Sequence, residues 1–553
     1  MTGYRYDPSD FKAVFEHSFT YLVGFRRNAH RYAARPALRD PATGRSWTYA
    51  ELGRDVERLA AGLAARDVGR GHVVVCSLFN CPELAMLWLA TQRLGAVLAP
   101  VNFRLAAGET AYILDDAQPV VFVYDGGLAA MADEALRLAG RRPRHLVVVP
   151  AVGAGGGVAA AGPAEPFDAL LGGGGAVPAL PDVSAYDETT RLYTSGTTGM
   201  PKGVSLPSVV EVLTAHDVIM HFPLSPEDKT LNMTPWFHRG GLYSGGPNPV
   251  FYVGAEAVAM RAFDAATVLD WVPAYGLTYL IGAPTSLALL AAEQEARPRD
   301  LSTLRGIVTM GSPLEKAACL RYQEVLTPRI FNGYGTTEAF WNTFLRPADL
   351  PDHAGTAGRA CTDDDVAVVK LYEDRQADPD DYVAKDGTEV GEVIVRSVKS
   401  GYRYVNSPDE QALRFRDGWL YIGDLATWDA DEYVTIVGRK DDMIISGGEN
   451  VHPVQVEEAL NAHPGVADSL VVGLPDETWG QRVVAYVRRA DPALTAADCD
   501  KHCRAHPMLS DFKRPRAYRF VDELPVTATG KKMHYVLREQ AVADATAGLF
   551  EGT

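Results

Sequence analysis

Between residues 47 and 150 helical and strand periodicities take turns, and this alternation limits the choice of fold more than any other feature of the chain. Residues 51–63 set Leu52, Val56, Leu59 and Leu63 on one helical face, while residues 72–76 and 120–124 read as short buried strands. Strands separated by helices pair in parallel, so an α/β fold with a largely parallel sheet is expected. With 553 residues the chain exceeds what one core can hold, and more than one domain is expected. The net charge of −17 argues against a general nucleic-acid or membrane-surface binder. An anionic ligand would then need backbone amides or a local basic patch such as Lys513, Arg514, Arg516 and Arg519. No apolar run is long enough to cross a bilayer, and the acidic, aromatic start is unlike a secretory signal. Six scattered cysteines fit a reducing cytoplasm better than a disulfide framework.

Residues 151–175 are rich in Gly and Ala and read as a flexible surface connection. A dinucleotide fingerprint does not fit there, because Val158 stands where the third glycine belongs. A second turn-rich, acidic stretch covers 373–387. Beyond it strands are expected at 392–396 and 433–437, and the segment 438–442 then interrupts two strand-like runs. From Met443 onward there is room for a small α/β domain, with a helix over 454–460 opened by Pro453 and a strand over 481–488.

The most informative stretch is Leu192-Tyr193-Thr194-Ser195-Gly196-Thr197-Thr198-Gly199-Met200-Pro201-Lys202-Gly203. Glycine lets backbone amides close on a phosphate, hydroxyls add donors, and one lysine adds a point charge. The spacing is not that of a Walker loop, and such a stretch alone reads equally as a polar surface turn. It is accompanied, in order, by Gly333-Tyr334-Gly335-Thr336-Thr337-Glu338, Tyr421-Ile422-Gly423-Asp424, Gly438-Arg439-Lys440-Asp441-Asp442 and the run from Pro525 to Lys531.

Together these five segments resemble the signature motifs of the adenylate-forming superfamily, which holds acyl- and aryl-CoA ligases, peptide-synthetase adenylation domains and luciferases. The run from Asp442 to Pro453 resembles in particular the aryl-CoA ligases of the 4-chlorobenzoate type. The resemblance implies a large N-terminal domain of layered α/β subdomains (1–438), a hinge (439–441) and a small mobile α/β domain (442–553). It implies attack of a carboxylate on the α-phosphorus of ATP, release of pyrophosphate, and transfer of the acyl group to coenzyme A. In that reading Thr194, Ser195, Gly196, Thr197, Thr198, Gly199 and Lys202 hold the β- and γ-phosphates. Thr337 touches the α-phosphate and Glu338 binds Mg²⁺, a hard cation suited to carboxylate oxygen. Gly311, Ser312 and Pro313 lie along one side of adenine, with Asn332 and Tyr334 on the other, and Gly333, Gly335 and Thr336 belong to the adenylate-binding segment. Asp424 holds the ribose, though by its residues alone it reads equally as a helix or turn cap, and Arg439 adds a second ribose or phosphate contact. Lys531 is the catalytic lysine, with Lys532 its neighbour, and Asp441 is the pivot. Gly447 and Gly448 let the pantetheine arm pass close to backbone.

By the same resemblance Trp479, Phe512 and Arg514 contact CoA; read from the residues alone, the two aromatic side chains serve equally as core. Pro235-Trp236-Phe237-His238-Arg239-Gly240-Gly241 matches the segment that gates the acyl pocket, with His238 as gate or as a hydrogen-bonded core histidine. Arg239 either reaches the substrate or faces solvent. Further walls are expected at 282–285, at Met310 and Gly311, and at 335–341, where Gly240, Gly241 and Gly282 leave room and Phe340 and Trp341 add apolar surface. No acid follows His238 to meet a substrate ammonium, which favours a non-amino acid. Two other readings stand beside the ligase: an enzyme that passes its acyl group to a carrier protein or partner enzyme in trans, and an inactive nucleotide-binding regulatory protein. Cys499, His502, Cys503 and His506 lie too loosely for a metal site and read as helix positions facing core and solvent.

Overall fold

The computed structural model describes residues 8–151, 163–172, 179, 182–195, 200–311, 314, 316–372, 375–439, 444–451, 453–507, 509–525 and 534–552. The expected helix at 51–63 extends over Tyr49–Ala64. Thr48 and Glu51 start it with a reciprocal capping box, and Leu52, Val56, Leu59 and Leu63 are buried on its inner face. The expected strands are Val73–Ser77 and Val121–Asp125, both buried throughout. With Val97–Pro100, Glu188–Ser195, His145–Val149 and Glu165–Pro166 they pair in parallel. Pro201–Pro207 and Tyr404–Val405 complete this eight-stranded sheet in antiparallel register. Both faces of its parallel part are covered, which explains continuous apolar strands rather than alternating ones.

A second, nine-stranded sheet has a parallel centre formed by Glu256–Val258, Lys229–Asn232, Tyr279–Gly282, Gly306–Met310 and Ile330–Thr336. Phe340–Leu345 then turns back antiparallel on Ile330–Thr336. A third, five-stranded sheet contains Gly391–Ser397 and Val434–Arg439, as expected, on either side of the long strand Trp419–Trp428. Its last strand ends at Arg439, and the fourth sheet begins at Ile444–Ser446. That fourth sheet is built on the hairpin Val466–Asp476 with Gly480–Arg489 and backed by the helix Pro453–Asn461. Cys499 and Cys503 pack into its core. Among the described residues no helix is long and apolar enough to cross a membrane.

The Gly- and Ala-rich stretch is not a plain connection throughout. Within it Asp168–Gly172 is a short helix, and Phe167 and Leu170 are buried in the main core. Gly62 makes this contact: a β-carbon there would lie 2.0 Å from the Leu170 carbonyl oxygen. Residues 152–162 and 173–178 lie outside the described residues.

Candidate active site

The Ser/Thr/Gly stretch is the turn of a hairpin, with Thr194 opposite Lys202 and Ser195 opposite Pro201. Gly196, Thr197, Thr198 and Gly199 lie outside the described residues. Lys202 does not stand free at the mouth of this loop: its ammonium is buried 2.7 Å from Glu410. Glu410 also accepts from Arg414 at 3.1 Å, and Arg414 donates to the carbonyl of Ile422 at 3.1 Å. Lys202 is thereby tied to the strand carrying Asp424. Pairing with two cations outweighs the cost of burial and holds the Glu410 carboxyl below its usual range.

Asp424 is not a turn cap. It lies inside the strand Trp419–Trp428, just after a kink at Gly423 with φ of 83°, and accepts from the Tyr334 hydroxyl at 2.7 Å. The segments 333–338 and 421–424 therefore meet through side chains. Arg439 is its backbone pairing partner. Thr336 closes its own turn by accepting from the Ala339 amide, and the Thr337 carbonyl accepts from the Arg239 guanidinium. Tyr404 donates to Glu338 Oε1 at 2.7 Å, and a side chain with carboxyl oxygens is the ligand type that suits Mg²⁺.

At the neighbouring strand ends Asn332 is buried, and its side-chain oxygen has no partner among the described residues. Gly311 has φ of 89° and open space where a β-carbon would stand. An unpaired acceptor such as the Asn332 oxygen is of the kind that an adenine amino group could satisfy. Gly333 and Gly335 are required for a different reason. Built β-carbons would lie 2.7 Å from the Trp341 indole nitrogen and 1.5 Å from the Phe340 carbonyl oxygen. Ser312 and Pro313 lie outside the described residues, as do Asp441, Lys531 and Lys532.

The acyl side departs most from expectation. Phe340 and Trp341 are each 3% exposed and belong to the main core, against Tyr243 and against Phe222 and Phe344. Nor do the glycines leave room. A β-carbon on Gly240 would lie 2.9 Å from Met310 Sδ, and one on Gly282 2.6 Å from Met233 Cε. Both spaces are filled by the ends of flexible methionines. Gly241 instead faces backbone, 1.9 Å from the Pro235 carbonyl oxygen to a built β-carbon. Gly241→Ala is accordingly expected to destabilise the fold by more than the ~1–3 kcal/mol of ordinary overpacking, measured as a drop in the urea midpoint. An unchanged midpoint would show that this turn yields. Arg239, expected at substrate or solvent, is buried at 3% exposure.

His238 sits at the N-cap of the short helix Arg239–Tyr243, packed against Phe237. Its Nε2 is 3.6 Å from Glu449, a residue of the C-terminal sheet. Glu449 is buried and accepts from Asn102 at 2.9 Å and Arg104 at 3.0 Å. Burial raises its carboxyl, but the hydrogen bonds and the charges of His238 and Arg104 win, and the net displacement is downward. Gly447 and Gly448, just before it, have φ of 59° and 78°, and a β-carbon on Gly447 would strike the Trp479 ring. Trp479 is 52% exposed, so it is not core. Phe512 is half-buried against the core of the C-terminal sheet. Arg514 is buried in ion pairs with Asp500 and Asp511, so its guanidinium is not presented to a ligand. Sequence reasoning gave no role to Asn102, Arg104, Tyr404, Glu410 or Glu449. Asn102, Arg104, Tyr404 and Glu410 lie far along the chain from the residues they support, and Glu449, although it follows Gly447 and Gly448, meets partners that are equally distant.

The geometry matches known proteins over nearly the whole chain. Residues 25–404 match the model for AMP-binding enzymes, and 455–531 match that for the AMP-binding enzyme C-terminal domain. An indoleacetate–CoA ligase of Aromatoleum aromaticum is 33% identical over 91% of this chain and 95% of its own. A 4-chlorobenzoate–CoA ligase of an Arthrobacter species is 31% identical over 94% of each. Among solved structures, an o-succinylbenzoate CoA synthetase from Bacillus subtilis aligns with a TM-score of 0.79 at 25% identity, over 93% of this chain and 98% of that one. The chain belongs to the AMP-binding enzyme family. It is an AMP-forming acid–thiol ligase that uses ATP to activate a carboxylic acid and CoA to accept the acyl group.

Proposed function

We propose that the enzyme makes the CoA thioester of a ring-bearing, non-amino carboxylic acid. The reading rests above all on the contact between Glu449 and His238, which brings the Gly447–Gly448 turn of the small domain to the acyl gate. A thiol arriving along that turn meets the activated carbonyl at the gate rather than in open solvent. Residues 1–438 form the adenylating body, 439–441 the hinge and 442–553 the small domain. The hairpin turn from Thr194 to Gly199 holds the phosphates, Glu338 the Mg²⁺, Asp424 and Arg439 the ribose, and Lys531 the reacting groups. Trp479, exposed beside Gly447, is the aromatic surface for CoA adenine.

Preference for a ring rests on the methionines rather than on missing side chains. Met233 and Met310 are apolar, unbranched and able to repack around a bulky group. Acids carried by the indoleacetate and 4-chlorobenzoate ligases are of this kind. Each buried methylene contributes about 0.8 kcal/mol, so a six-carbon ring is expected to favour catalytic efficiency over acetate by roughly three powers of ten. The measurement is pyrophosphate release for 4-chlorobenzoate, indoleacetate and acetate, each with and without CoA. Met310→Ala should raise the efficiency ratio of indoleacetate to 4-chlorobenzoate by about tenfold. Acetate as the better substrate would refute the ring preference, and release indifferent to CoA would point to a carrier protein as acceptor.

A further inference from the structure

Arg239 is a cation in an unusual place. It is 3% exposed, and among the described residues no carboxylate lies within ion-pair distance of its guanidinium. Glu211, Glu338 and Asp364 act on it only from beyond that distance, and a buried charge held by neutral acceptors is costly unless its hydrogen bonds are well placed. One nitrogen donates to the Thr337 carbonyl. The other donates to the Lys399 carbonyl at 2.6 Å and to Thr214 Oγ1 at 3.3 Å. The planar group stacks over Tyr243 and Phe340, at 5.6 and 5.5 Å from their ring centres. Phe340 itself has φ of 62°, a left-handed backbone that a phenylalanine adopts only under constraint.

The Lys399 carbonyl is itself anchored. The Lys399 ammonium is buried between Asp217 and Asp364, 2.9 Å from each. Arg239 therefore braces the peptide of Thr337 against a fixed point on a separate element. On the far side Tyr404 holds the Glu338 carboxylate. Burial lowers the Arg239 pKa to about 10, which keeps it charged at neutral pH.

We propose that Arg239 is a positioning residue for nucleotide binding: its fork fixes the Thr337–Glu338 peptide, and so the hydroxyl and carboxylate that meet the α-phosphate and its metal ion. The inference rests on the adenylating role of that segment and extends it to a residue that touches neither substrate. A lysine cannot reproduce the brace, because a single ammonium cannot span two carbonyls in one plane.

Binding of MgATP in the absence of any acid, followed by calorimetry, tests this apart from turnover. Arg239→Met keeps the volume and removes both the charge and the fork. Losing a buried charge offsets the orphaning of two carbonyls, so the melting temperature should stay within about 4 °C. MgATP should nevertheless bind ~10-fold more weakly, with KM for the acid changed less than twofold. Arg239→Lys should fall between wild type and Arg239→Met, or match the latter. Unchanged MgATP affinity in Arg239→Met would overturn the proposal, as would wild-type affinity in Arg239→Lys. Parallel loss of melting temperature and affinity in both variants would reduce Arg239 to a structural residue. If the wild type binds MgATP but releases pyrophosphate with no acid, the ligase reading fails and the brace stands.

Discussion

Carboxylate-dependent exchange between ATP and pyrophosphate should fall at least about 100-fold in Lys531→Ala, with MgATP affinity nearly unchanged. A carboxylate and a triphosphate repel each other as they approach. A cation placed between them acts on the charge that builds up at the α-phosphorus more than on either bound ground state. The loss therefore belongs in kcat rather than in nucleotide binding. The family match for the small domain ends at this residue. If Lys531→Ala retains exchange and Lys532→Ala loses it, the assignment moves one residue along the chain.

The second large effect is expected at the domain contact. Glu449→Gln keeps the shape of the side chain and removes the charge that Arg104 and His238 share. A charge-assisted hydrogen bond contributes about 2 kcal/mol, so thioester formation from preformed acyl-adenylate should slow by roughly 30-fold. The adenylation half-reaction, read by pyrophosphate exchange, should be spared, since the contacts of Glu338, Asp424 and Lys202, the residues proposed for the nucleotide, with Tyr404, Tyr334 and Glu410 do not involve Glu449. Equal losses in both steps would mean that Glu449 supports the fold rather than the thiol transfer. Rapid-quench measurement of the two steps separates these outcomes.

The two effects fall on residues that were legible in the chain to different degrees. Lys531 is read from the resemblance of the run at 525–531 to a family motif and lies outside the described residues, whereas Glu449 follows two glycines that mark a close backbone approach. What Glu449 touches was not legible, because its partners Asn102 and Arg104 are about 350 residues away. The same limit explains the acyl pocket. Glycines at 240, 241 and 282 read as vacancies when only the chain is seen. In the fold they are close approaches, met by Met310, by the Pro235 carbonyl and by Met233. Absence of a side chain says that something needs the space but not what fills it.

The helix at Tyr49–Ala64, the buried parallel strands and the strands on either side of residues 440–443 follow from local periodicity and capping, which depend on neighbours in sequence. The order of the nucleotide motifs was likewise written in the chain. Only the tertiary structure decided that Lys202 rests on Glu410, that Arg514 is spent on Asp500, and that Arg239 lies buried behind Thr337. A charged side chain has no intrinsic place: whether it meets solvent, ligand or carboxylate depends on which distant segment the fold brings within about 3 Å of its tip.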